Sequence, residues 1–330
     1  MEAPYVVTRP FPQSNVGSNL ASLAGALYVA SRTGRSLVVD WRGLSQLRDP
    51  ETNYFAEFFA LPPAVDGTAV AVAPVDGLDY GVDTGARWLS PGEARAVAAD
   101  GATDALPLVL QAYHGLDRVH PGPEVERFRL LRAFYRALRP APAVGQAVED
   151  FTEAKLGAAF VVGLNVRTGN GRYFAQGEPY AGRVDISIFD DRRRFLRTLE
   201  RGCRSRLRAL PRFLRDDFRI FYATDSQEMS ELLAHLPNSI TRRRVFPPRG
   251  AGDTFAFEGD DYTDRDAIVD TLADMFLLAR CDALVYNNSL FNQYARVVTG
   301  YFGGNLVHIE DLYLRRRPRR TAVALRRRLP

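Results

Sequence analysis

Lysine is almost missing from this chain of 330 residues: Lys155 stands alone among cations otherwise built from arginine. Cysteine is scarce too, with only Cys203 and Cys281, far apart in sequence. A disulfide-framed fold carries denser cysteines, so free thiols in a reducing, cytoplasmic compartment are expected. No apolar run approaches the roughly 18 residues that span a bilayer, which excludes a membrane-spanning reading. The first residues, Met1-Glu2-Ala3-Pro4, lack the basic stretch and apolar run of a secretion signal. His114, His120, His235 and His308 are too scattered for recognisable metal-ligand spacing. There is no Gly-x-x-x-x-Gly-Lys-Ser/Thr loop and no Gly-x-Ser-x-Gly elbow, which argues against P-loop nucleotide hydrolysis and α/β-hydrolase chemistry.

What is present is ordinary globular material: 46% hydrophobic and 25% charged residues, enough for sizeable cores and too apolar for disorder over most of the length. The length suits two domains of roughly 150 residues each. The formal charge of +4 is small but unevenly spread. Arg192–Arg194, Arg242–Arg244 and an Arg-rich tail over 313–330 hold much of the excess. Such a surface attracts anions over a Debye length of roughly 8 to 10 Å. The acidic pairs Asp190-Asp191 and Asp260-Asp261 invite a metal reading. Asp190-Asp191 immediately precedes a basic helix, however, where acids suit the N-terminal dipole, so no metal is expected.

Short apolar runs alternate with longer amphipathic ones, the pattern of α/β folds. Strands are expected over Tyr5–Thr8, Ser36–Asp40, Thr68–Ala73 and Leu106–Tyr113. Between the first two, Leu20, Leu23, Ala24, Leu27 and Tyr28 recur at helical spacing, and Thr33-Gly34 closes that helix. Ser90-Pro91-Gly92-Glu93 reads as a capping-box start. Helices over Glu124–Leu138 and Ala143–Glu153 lead to a domain boundary near residues 154 to 158. The second half repeats the theme. Its strands are Ala159–Val166, Phe218–Ala223, Ile240–Val245, Ala283–Tyr286 and Asn305–Ile309. Its helices run over Asp191–Ala209, Gln227–Leu236, Arg265–Arg280 and onward from Leu290.

Ligands of open α/β sheets bind beyond the carboxyl ends of strands, where loops feed helix N-termini. Three places match. The loop Arg167-Thr168-Gly169-Asn170-Gly171 offers a planar guanidinium for phosphate oxygens and two glycines that permit close backbone approach. A glycine turn with a structural arginine is the bland alternative. Asp225 follows a second strand, and with Glu228 three residues on it forms a capping-box pattern that explains it without a ligand. Asp274 sits in a helix apolar on nearly every side, so it is expected to be buried and to need a partner. Ser289 follows the strand Ala283–Tyr286, at a helix start; it caps that helix or donates to a phosphate.

Three blocks, in order along the chain, resemble the family of the rhizobial nodulation fucosyltransferase, whose relatives include the eukaryotic N-glycan core fucosyltransferases. The first runs from Asn15-Val16-Gly17-Ser18-Asn19-Leu20 to Asp40-Trp41-Arg42-Gly43. The second is Val162-Gly163-Leu164-Asn165-Val166-Arg167-Thr168-Gly169-Asn170-Gly171. The third is Asp274-Met275-Phe276-Leu277-Leu278-Ala279-Arg280-Cys281-Asp282, followed by Ser289 to Arg296. The resemblance implies a GT-B fold: an N-terminal Rossmann-like, acceptor-side domain (1–155) and a C-terminal Rossmann-like, nucleotide-sugar-binding domain (156–312), facing a cleft. It also implies a GDP-linked donor, inversion at the anomeric carbon and no metal or other cofactor. By motif position Arg167 holds the diphosphate, while Thr168, Gly169, Asn170, Gly171, Asp274 and Ser289 line the donor site. Asn15, Gly17 and Asn19 form the opening loop, and Asp225 matches an acidic position near the nucleotide. Two positions depart from the pattern: Thr168 stands where the nodulation enzymes carry His, and Arg172 where they carry Glu.

The expected activity is therefore inverting, metal-independent transfer of a sugar, fucose from GDP-fucose, to a hydroxyl of a glycan, small-molecule or peptide acceptor. Glu178 and Asp185, after the central loop, are candidates for the base that takes the acceptor proton. One alternative keeps the fold but uses another nucleotide sugar in a tailoring reaction. Another makes the Arg-rich surface a nucleic-acid-binding face without catalysis, although no aromatic recognition motif accompanies that charge.

Overall fold

A computed structural model describes residues 4–10, 16–43, 49, 51–74, 86–101, 106–111, 115–166, 191–207, 218–244, 246, 265–287, 291–298, 306–309 and 312. The chain forms two compact units, Met1–Glu149 with Gly252–Phe276, and Asp150–Ala251 with Leu277–Pro330.

The first unit is built on β1 (Tyr5–Thr8), α1 (Val16–Arg32), β2 (Ser36–Val39), α2 (Tyr54–Phe58), β3 (Phe59–Ala60), β4 (Ala64–Val65), β5 (Thr68–Val72), β6 (Arg87–Trp88), α3 (Pro91–Asp100), β7 (Leu108–Leu110), α4 (Leu116–Val119), α5 (Glu124–Ala137) and β8 (Arg139–Pro140). Its six-stranded sheet has the order β4-β5-β2-β1-β7-β6 and is parallel except at β4. The helix over the central strands forms because Leu20, Leu23, Ala24 and Leu27 recur every three or four residues, all buried. Gly34, with φ of 65°, then supplies the left-handed turn that ends it and releases β2. The capping box expected at Ser90 is formed in full: Glu93 N–H donates to Ser90 Oγ at 3.3 Å, and Ser90 N–H donates to Glu93 Oε2 at 2.8 Å.

A cluster of Trp41, Tyr54, Phe55, Phe58 and Phe59 closes one end of this unit, and Phe276 joins it at 6.2 Å from the Phe59 ring. Asn53 holds the cluster's backbone in place. Its Nδ2 donates to the carbonyls of Val39 and Ala73, both at 2.9 Å, while Oδ1 accepts from Trp41 N–H at 3.2 Å and Phe55 N–H at 3.0 Å. At 5% exposure, every polar atom of that side chain replaces a water it has lost.

The second unit begins in α6 (Pro142–Phe151), which ends in a single wide turn over Thr152–Leu156, and continues through β9 (Phe160–Val166), α7 (Arg192–Leu207), β10 (Phe218–Thr224), α8 (Gln227–Leu233), β11 (Ser239–Ile240), α9 (Arg265–Leu278), β12 (Ala283–Tyr286), α10 (Phe291–Val298) and β13 (Leu306–His308). The chain division cuts α6 and α9: only the last residues of each belong to this unit. All five strands are parallel, in the order β11-β10-β9-β12-β13. Both faces of the sheet are covered. Val162, Leu164, Ile220 and Val285 pack with Phe195, Leu199 and Cys203 of α7 and Met229 and Leu233 of α8. On the other face Phe221 meets Phe151 at 5.4 Å, and Gly163 lies under Leu278 and Cys281. Strands buried on both faces read as unbroken apolar runs, as Phe160–Leu164 does.

Several elements differ from expectation. The strand expected over Ile240–Val245 is two residues long, and that over Leu106–Tyr113 is three. The helix expected over Ala143–Glu153 is α-helical to Phe151 and runs past its expected end in the wide turn Thr152–Leu156. No helix among the described residues is long and apolar enough to cross a membrane.

Candidate active site

Strand order locates the binding edges. In the second sheet, chain order runs outward from β9 through β10 to β11, then jumps to β12 on the other side and on to β13. The loops leaving β9 and β12 therefore depart in opposite directions, and the gap between their carboxyl ends is where such sheets take ligands. The two strand ends are joined: Asn287 N–H donates to the Asn165 carbonyl at 3.3 Å. Both asparagines are buried, at 4% and 3% exposure. From Val166 the chain enters residues 167–190, and from Asn287 it enters 288–290.

Polar groups gather along this edge. Thr224, the last residue of β10 and the register partner of Val166, is 5% exposed, and its hydroxyl has no hydrogen-bond partner among the described residues. A buried hydroxyl in that state costs roughly 1 to 3 kcal/mol, a cost that a bound polar group would remove. Ser226 caps α8 by accepting from Met229 N–H at 3.4 Å. On the β12–β13 side, the guanidinium of Arg296 lies over the Tyr286 ring at 5.0 Å, and His308 meets the same ring edge-on at 5.2 Å. The thiol of Cys281 is sealed in the core, and burial pushes its pKa far above the ordinary range, so it is structural and not a nucleophile.

The first sheet has the same logic. Order passes from β1 to β2 and β5 on one side and to β7 and β6 on the other, so its switch point lies between β1 and β7. There Arg9 N–H donates to the Leu110 carbonyl at 2.8 Å. Asp40, 2% exposed, receives Arg9 at 3.0 Å and Arg42 at 2.8 Å. Both guanidinia remain about a quarter exposed at this edge. The motif Asp40-Trp41-Arg42 gives no sign of this arrangement in sequence, since Arg9 follows β1, far earlier in the chain.

Of the residues singled out in sequence, Gly17 and Asn19 lie buried in the first turns of α1, which follows the carboxyl end of β1. Asp225 lies half-buried just past β10. Its expected capping role is corrected: the N-cap is Ser226, one residue later, because the strand runs on through Thr224. Asp274 is 1% exposed within α9, as its apolar surroundings predicted, and groups with the first unit. Asn15, Arg167, Thr168, Gly169, Asn170, Gly171, Glu178, Asp185 and Ser289 lie outside the described residues.

The family model of Nodulation protein Z (NodZ) matches residues 2–88 and 127–303, which include β1, α1 and β2 of the first unit and most of the second. The chain belongs to the NodZ family. It is 27% identical over 318 residues to Nodulation protein Z of Bradyrhizobium diazoefficiens, covering 89% of this chain and 78% of that protein. The crystal structure of NodZ alpha-1,6-fucosyltransferase co-crystallised with GDP superposes with a TM-score of 0.58 at 19% identity, over 90% of this chain and 92% of that one. POFUT1 in complex with GDP-fucose superposes at 0.54 with 11% identity, over 92% and 98%. These likenesses establish the GT-B fold for this NodZ family member.

Proposed function

We propose that this NodZ family protein is an inverting glycosyltransferase that moves fucose from GDP-fucose to a hydroxyl of a glycan, small-molecule or peptide acceptor, without a metal. The observation that carries the reading is the adjacency of β9 and β12. Their carboxyl ends lead directly into Arg167–Gly171 and into Ser289, two motifs from distant parts of the chain. Support also comes from the relatives, among them the NodZ structure soaked with GDP-fucose. Residues 1–155 take the acceptor side and 156–312 the donor side. The two buried free thiols, Cys203 and Cys281, suit a cytoplasmic setting.

The acceptor oxygen attacks the anomeric carbon from the face opposite the nucleotide. As that bond forms, the bond from carbon to the β-phosphate oxygen breaks, and negative charge grows on the departing GDP. Arg167 and the amides around Gly169 meet that charge, with Thr168, Asn170 and Gly171 shaping the loop and Ser289 donating a hydroxyl. Preorganised donors of this kind contribute about 3 to 4 kcal/mol each. Asp225 and Asp274 line the nucleotide. The acceptor's proton passes to Glu178 or Asp185. Of the expected opening loop, Gly17 and Asn19 belong instead to the first turns of α1, and Asn15 directly precedes that helix in sequence.

Arg167→Ala is expected to lower turnover of GDP-fucose at least a hundredfold while the circular dichroism spectrum and melting temperature stay unchanged. Full activity in that variant removes the central loop from the mechanism. Because Thr168 and Arg172 replace the family's usual His and Glu, the donor sugar is tested beside it. Faster hydrolysis of another nucleotide sugar than of GDP-fucose would replace fucose in this reading and leave sugar transfer standing.

A further inference from the structure

The third block that resembles the nodulation family ends in Tyr294-Ala295-Arg296, and its arginine has no role in the reading above. Arg296 lies in α10 between the buried Ala295 and Val297, and is itself partly buried. Its guanidinium sits over the Tyr286 ring, 5.0 Å from the centroid. Tyr286 is the last residue of β12, in register with Asn165 of β9 on one side and His308 of β13 on the other. Long side chains on a helix lean toward its N-terminus. One set five residues after Phe291 is therefore carried back toward the edge where β12 ends.

That guanidinium has no anion. Its Nε–H is buried and meets no acceptor, and Arg296 forms no hydrogen bond or ion pair among the described residues. The tyrosine ring attracts the cation but offers no lone pair to its N–H donors. In the first sheet, by contrast, Arg9 and Arg42 both reach the buried carboxylate of Asp40. A buried N–H without an acceptor costs free energy, and an arriving oxyanion removes that cost. Packing alone does not call for a cation here, since Tyr294, Ala295 and Val297 fill the surroundings with apolar surface.

A guanidinium presents its donors as a rigid fork that suits the oxygens of a phosphate group. The cluster also lies at the strand-end edge where open parallel sheets take ligands. We propose that Arg296, held by Tyr286, is a phosphate-binding cation of this edge and takes the diphosphate of the nucleotide donor. The identity of the nucleotide rests on the sugar-transfer reading; the phosphate contact rests on the cluster itself. A cation already in place there also favours the charge that grows on the diphosphate as the sugar leaves.

The test is calorimetric titration of GDP and of guanosine into the full chain and into R296M. The parent should prefer GDP. R296M should bind GDP roughly tenfold to a hundredfold more weakly and guanosine as the parent does, because only the nucleotide carries the phosphates. Without ligand, R296M should melt no lower than the parent, since no partner is lost. R296Q, which keeps a polar head but not the charge, should show the same selective loss and carries the test if R296M does not fold. Should UDP prove the tighter nucleotide, the same comparison is made with UDP and uridine. Undiminished nucleotide binding in the variants, or nucleotide and nucleoside weakened alike, overturns this proposal and leaves sugar transfer standing. A parent that binds no nucleoside diphosphate overturns both.

Discussion

His120 shows how much one side chain can hold in this fold. It is 7% exposed and packs on Tyr28 of α1 with ring centroids 4.4 Å apart and the ring planes tilted by 35°. Its Nδ1 accepts from Gly122 N–H at 2.8 Å, so that nitrogen must be unprotonated in the native state. Burial lowers its pKa, outweighing the opposing pull of Glu126, while Arg127 and Arg32 push in the same direction as burial. A folded pKa below the unfolded value means that native His120 resists protonation. Its contribution is complete above about pH 6.5 and is lost as pH falls through the folded value. The urea midpoint is therefore expected to fall between pH 7.5 and pH 5.5, and to fall less in His120→Gln. Identical pH slopes for the two proteins would show that the ring carries no linkage.

At the scale of elements, β9 packs tightly against the end of α9. Gly163 has no side chain because a Cβ there would lie 3.1 Å from Cys281 Sγ and 3.2 Å from Leu278 Cδ2. Cys281 Sγ is itself held by a hydrogen bond to the Leu277 carbonyl at 3.3 Å. Asp282 ties the following turn to the strand by accepting from Val161 N–H at 2.8 Å. With the helix end anchored twice, it has little freedom to retreat. Gly163→Ala should cost about 1 to 3 kcal/mol through overpacking. Chemical denaturation measures this directly, and an unchanged midpoint would mean that α9 slides away without penalty. The helix also explains why its length was readable: Ile268, Leu272, Met275 and Phe276 are buried at helical spacing.

For the whole molecule, the relevant quantity is how a nucleotide shifts the folding equilibrium. A ligand that binds only the native state stabilises it by roughly 2.7 kcal/mol at a hundredfold excess over Kd. GDP is expected to raise the melting temperature by a few degrees, more than UDP or dTDP at equal concentration, with the shift unaltered by EDTA. A larger shift with UDP would reassign the donor base, and loss of the GDP shift on chelation would bring a metal into the site. Thr224, with its buried hydroxyl, gives this measurement a local counterpart: Thr224→Val should leave the apo protein at least as stable and diminish the GDP shift.

Local pattern alone determined much of this protein. Apolar runs at Tyr5–Thr8, Ser36–Val39 and Phe160–Val166, the stripe of α1 closed by Gly34 and the Ser90–Glu93 cap each draw on residues close together in the chain. Parallel α/β architecture and the loop after β9 follow from their alternation. Tertiary structure alone decided the rest. The two-residue strands β6 and β3 exist only by pairing with β7 and β8, partners 21 and 79 to 81 residues away in the chain. Asn53 became a hub because the ends of β2 and β5 left carbonyls facing it. Asp40 draws Arg9 from beyond β1 and Arg42 from beyond β2. A buried polar group is satisfied by whatever the fold brings within about 3 Å, and that neighbourhood is not written in sequence spacing.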